Sequence, residues 1–90
     1  MKAKIQNIQK NNSDFQHPQI DVEVMYTKGD FERLFVFTLP HEVYAKLDEE
    51  TLTKMITVQG ESFKEMLQKV SDMDTKETDL QSLIDLEVTI

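Results

Sequence analysis

Cysteine and tryptophan are absent from this 90-residue chain, and glycine and proline number only two each. Without cysteine there is no disulfide framework, no thiolate nucleophile and no thiolate-held zinc. Two glycines cannot build a phosphate-cradling loop, and the serines and threonines fall in no nucleophile-elbow or phosphate-loop spacing. The two histidines, His17 and His41, each sit beside a proline, with no nucleophile-type partner close in sequence. No apolar run approaches the ~20 residues of a membrane span, and the start MKAKIQNIQK carries lysines but no apolar stretch of signal-peptide length. These absences lead us to expect a non-enzymatic, cytoplasmic protein without cofactor, metal site or membrane partner.

Bases are also scarce, ten Lys and Arg against 17 Asp and Glu, for a net charge of −7. The imbalance is uneven. Residues 1–45 carry five bases and six acids, net −1, whereas residues 46–90 carry five and eleven, net −6. Only Lys2, Lys4 and Lys10 cluster, so direct binding to nucleic acid through phosphate contacts is not expected. Acids concentrated in one half keep a small protein soluble, and they also suit a basic groove on another protein.

What is present is pattern. In residues 19–40 Ile20, Val22, Val24 and Tyr26 alternate with Asp21, Glu23 and Met25. Lys28-Gly29-Asp30 interrupts, and Phe31, Phe35, Phe37 and Leu39 resume the two-residue period. This is a β-hairpin. Folding it about Lys28-Gly29 sets Tyr26 opposite Phe31, Val22 opposite Phe35 and Ile20 opposite Phe37. Its second arm is apolar on both sides, because Leu34 and Val36, with Met25 diagonal to them, oppose the phenylalanine face. Either the segment carrying Val43, Tyr44 and Leu47 covers this patch, or another protein does. Arg33, the one charge on the phenylalanine face, is expected to snorkel to an edge or pair with an acid.

Before the hairpin, Met1, Ala3 and Ile5 alternate with Lys2, Lys4 and Gln6, and Ile8 breaks the period, so a strand with a bulge near Asn7 is expected. Asn11-Asn12-Ser13-Asp14 is turn chemistry, and His17-Pro18 bars helix. Phe15 in this loop is expected to fold back over the core, the alternative being an exposed aromatic anchor for a partner. After Pro40 a short helix over residues 41–47 is followed by Asp48 as a helix cap, with Glu49 and Glu50 in the first turn. Leu52, Met55, Ile56, Gln59, Phe63, Met66, Leu67 and Val70 then form one amphipathic face, read first as one helix bent or frayed near residues 58–60, next as two helices divided at Gly60, and last as a strand over residues 52–58 followed by a helix, since Thr51, Thr53, Ile56, Thr57 and Val58 are β-branched. Residues 72–82 read as a polar connection. LIDLEVTI alternates again and is expected to form a terminal strand beside the first.

Ninety residues make one domain, 1–90, with a thin core. The expected fold class is α+β: an antiparallel hairpin or meander sheet, a helix from the C-terminal half packed on one face, and a short terminal strand, in the order β-β-β-α-β.

The order of N-terminal strand, hairpin ending FTLP, acid-capped helix and short terminal strand, in a short, acidic chain with Gln-, Asn- and Lys-rich connections, resembles the small accessory proteins encoded in bacteriophage and prophage genomes. The resemblance covers the chain in outline and rests on no signature motif, so it assigns no functional residue. Two functions compete. The first is an interaction or assembly protein, self-associating or binding a protein partner, with Met25, Leu34, Val36 and Tyr44 as the candidate interface. The second is an acidic inhibitor that mimics nucleic-acid charge and docks Asp48, Glu49, Glu50, Asp72 and Asp74 into a basic groove of a nuclease or DNA-binding protein. Asp72, Asp74, Glu77 and Asp79 offer hard oxygen ligands, but Glu77 and Leu83 fall where a helical calcium loop needs Gly and Glu, so a solvated acidic loop is favoured.

Overall fold

The alternating segments form three antiparallel strands, β1 (Lys2–Asn11), β2 (Gln19–Lys28) and β3 (Phe31–Pro40), in the spatial order β1-β2-β3. They are followed by α1 (His41–Tyr44) and α2 (Glu49–Gln81). A computed structural model describes all residues, 1–90. Three antiparallel strands plus a long helix make the chain α+β.

The hairpin turns one residue later than expected. Lys28 pairs with Phe31, leaving Gly29 and Asp30 as a two-residue loop, and Val22 faces Phe37, Val24 faces Phe35 and Tyr26 faces Arg33. The expected pairs are thus displaced by two residues. The reason lies in the turn: Gly29 takes the positive φ, +59°, and Asp30 does not, the pattern of a type II′ loop whose first position must be glycine. Lys28 is thereby spared a left-handed backbone. A two-residue displacement leaves every side chain on its expected face, because the strand period is also two.

On β1 the pairing shifts between Ile5 and Asn7, a bulge at Gln6 that returns Ile8 to the face of Ile5, opposite Val22. That face of the sheet carries the core. Val22, Val24 and Tyr26 of the central strand are fully buried, with Leu39 and Phe63 beside them.

Asp48 starts α2 as expected. Its Oδ1 accepts the Thr51 N–H at 2.7 Å, and Glu49 and Glu50 fill the first turn. The helix then runs unbroken for 33 residues, about 50 Å. Gly60 does not end it. A Cβ there would lie 3.4 Å from Tyr26 Cε1, so the glycine is where the helix backbone comes close to the buried ring. Leu52, Met55, Ile56 and Phe63 make the contacts with the sheet core.

Two expectations fall together. Residues 72–81 are helical rather than a connection, since extending an existing helix costs far less than nucleating one. Thr75 and Thr78 return their hydroxyls to the carbonyls of Ser71 and Asp74, and Gln68 Nε2 donates to Asp72 Oδ1. Because the helix runs on to Gln81, residues 83–90 are carried away from β1. The terminal strand does not form, and Asp85 turns through a positive φ of 77°. Every residue from Gln68 to Ile90 is exposed. The molecule measures 64 × 29 × 18 Å, with a radius of gyration of 20.3 Å against about 12 Å for a compact chain of this length.

Candidate interaction surface

The strand period that sends Val22, Val24 and Tyr26 into the core sends Asp21, Glu23 and Met25 to the opposite face of β2. Pairing with β3 sets Met25 beside Leu34, Glu23 beside Val36 and Asp21 beside Thr38. On the β1 side Lys4 neighbours Met25 and Asn7 neighbours Glu23. The result is an apolar centre of Met25, Leu34 and Val36 inside a polar rim, the composition of a small protein-binding patch. Leu34 is 45% exposed and Val36 42%.

Tyr44 does not join this patch. With Leu47 it packs against the core cluster on the other face, its ring 5.2 Å from that of His41. The segment after Pro40 therefore leaves Leu34 and Val36 uncovered. At the margin of the outer face Asp21 Oδ2 accepts Asn11 Nδ2 at 3.2 Å, while its Oδ1 is shielded from solvent without a hydrogen-bond partner.

Of the two expectations for Arg33, the exposed side chain at the edge of the core fits the first and not the ion pair. It forms no ion pair and instead sets its guanidinium carbon 5.6 Å from the centre of the Phe63 ring, a cation–π contact at the rim of the core. Phe63 also meets Tyr26 edge-on at 5.0 Å. Phe15 does not cap the core; it is 92% exposed at the tip of the loop between β1 and β2.

The five candidate acids are not brought to one place. Asp48, Glu49 and Glu50 occupy the start of α2, and Asp72 and Asp74 lie about 35 Å further along the same helix, on different sides of it. Asp48 is engaged as the cap, and the hydrogen bonds from the Thr51 backbone and side chain hold its carboxyl below the ordinary 3.8. Asp14 is lowered as well, first by its 2.8 Å contact with His17 Nδ1. Tyr26 moves the other way. Burial pushes its phenol up, and the hydroxyl donates to the Ile56 carbonyl at 2.9 Å.

No three His, Asp or Glu side chains converge as metal ligands would. The acids from Asp72 to Asp79 project from a helix rather than lining a loop. No helix is long and apolar enough to cross a membrane. The sequence reading missed one surface, the exposed apolar row Met66, Val70, Met73 and Leu80 on α2. Its three- and four-residue spacing was visible, but the row was cut at Val70 by reading residues 72–82 as a connection.

Neither a family model, nor a curated protein, nor a solved structure matches this chain.

Proposed function

We propose that this is a non-enzymatic interaction or assembly protein that acts by presenting the outer face of its sheet. The fold is taken as a helix laid on the inner face of the hairpin sheet, which leaves the outer face for another protein. The observation that carries this reading is the exposure of Leu34 and Val36 on adjacent outward positions of one strand, with no segment of the chain over them. Its size and acidity suit the phage-encoded accessory proteins it resembles, working in the cytoplasm on a protein partner or on copies of itself. The acidic-mimic alternative has less support, since its acids lie on two separate parts of α2 and Asp48 already serves the helix.

The test is absolute mass by light scattering behind a sizing column, at low and high salt. An oligomer that persists in high salt is expected, and Leu34→Asp with Val36→Asp should lower its mass while the circular dichroism stays native. Unchanged mass in a folded variant overturns self-association through the sheet face.

A further inference from the structure

The outer sheet face is not the only uncovered apolar surface, and α2 carries the other. Past Phe63 the helix extends 18 residues to Gln81, about 27 Å. Along this part Met66, Val70, Met73 and Leu80 recur at steps of three, four and seven, the two seam positions of a heptad, with Glu77 at the one remaining seam position. All five are exposed, Met73 to 69%. The outward positions Lys64, Glu65, Gln68, Asp72, Thr75 and Asp79 are polar without exception. The seam is continuous with Ile56 and Phe63, which lie against the sheet, so one apolar face serves the fold first and then runs on uncovered.

We infer that this face pairs with the same face of a second copy, the two helices antiparallel. Shape and charge point the same way. In a parallel pair each chain's sheet, lying on the seam side of its own helix, would occupy the space of the partner's helix. An antiparallel pair places the sheets at opposite ends and lets only the free segments overlap. Residues 64–71 carry two lysines and one glutamate, net +1, and residues 72–81 carry four acids and one lysine, net −3. Antiparallel pairing sets the positive half of each segment beside the negative half of the other, whereas parallel pairing sets −3 beside −3.

The helix dipole adds to this. The last turn of α2 has no base to complement its negative end, and the partner's Lys64 and Lys69 approach that end only in the antiparallel arrangement. The free segment is centred between residues 72 and 73, and the seam register nearest that centre sets Val70 against the partner's Met73 and Met66 against the partner's Glu77. This dimer does not depend on the sheet-face reading, because it uses none of the residues of that face.

The chain contains no cysteine, so introduced ones report cleanly. Met66→Cys and Glu77→Cys chains, mixed, unfolded together, refolded and oxidised, should give the mixed 66–77 disulfide and little of either self-linked species. Self-linked Met66→Cys and Glu77→Cys dimers indicate a parallel pair and overturn the proposal, as does a monomeric mass for the protein carrying Leu34→Asp and Val36→Asp. In that same background Met73→Asp should abolish the dimer. Glu77→Leu, which removes the one charge from the seam, should tighten dimerisation by about tenfold, an outcome that misfolding cannot imitate. Failure here leaves the sheet-face variants to be judged separately by their own change in mass.

Discussion

At Asp48 a single carboxylate closes the first turn of a 33-residue helix, and its lowered pKa ties that closure to pH. The stabilisation is full above the unfolded value of about 3.8 and disappears as the pH falls through the lower folded value. Chemical denaturation of Asp48→Ala and the parent should therefore differ by a constant amount at pH 5–8, with the gap narrowing below about pH 4. Asp48→Asn, which still offers an oxygen to the Thr51 N–H, should retain most of the stability and lose the pH dependence. Gly60 makes a second prediction. Alanine there removes the backbone penalty of a mid-helix glycine, roughly 1 kcal/mol, and its methyl would meet Tyr26 at an ordinary 3.4 Å. Gly60→Ala should raise the melting temperature, whereas Gly60→Leu, which must push the ring aside, should lower it.

Among the elements, α2 divides at Phe63. Phe63 is the one buried residue of the helix and touches Tyr26, Phe31 and Phe35, so Phe63→Ala should cost about 3–5 kcal/mol in urea unfolding, a large share of the stability of so thin a core. Val70, one heptad later, is 53% exposed, and Val70→Ala should change the stability of a monomer by less than about 0.5 kcal/mol. If Val70→Ala proves costly only at high protein concentration, the difference is the contribution of the second copy. The sheet divides likewise: β2 supplies three of the five buried residues, while the outward faces of β2 and β3 contribute none.

For the whole molecule, shape is the main finding. A radius of gyration of 20.3 Å and five buried residues out of 90 describe a small folded end with a long helical arm. Residues 82–90 make no contribution to the core, so their deletion should leave the unfolding midpoint unchanged, as measured by circular dichroism against denaturant. A substantial loss of stability on deletion would require the tail to pack somewhere on the fold. Small-angle scattering of the chain carrying Leu34→Asp, Val36→Asp and Met73→Asp, monomeric on both counts, should return a radius near 20 Å, well above the ~12 Å of a compact chain.

The sequence by itself determined what depends on neighbours two to four residues apart. The alternation of residues 20–39 set which side chains share a face of the sheet, Ile8 out of step announced the bulge, and Asp48 before two glutamates marked the start of α2. The apolar patch at Met25, Leu34 and Val36 was legible for the same reason. Tertiary structure decided whatever required comparing distant parts of the chain. The hairpin register turned on Gly29 taking the left-handed position, and the role of Gly60 on Tyr26 lying against it. Tyr44 could be placed on the inner face only once the path after Pro40 was known. The tail failed to become a strand because α2 continued where polar residues suggested a connection. A strand exists only if an edge lies within reach, and a helix of 33 residues carried this segment away from one.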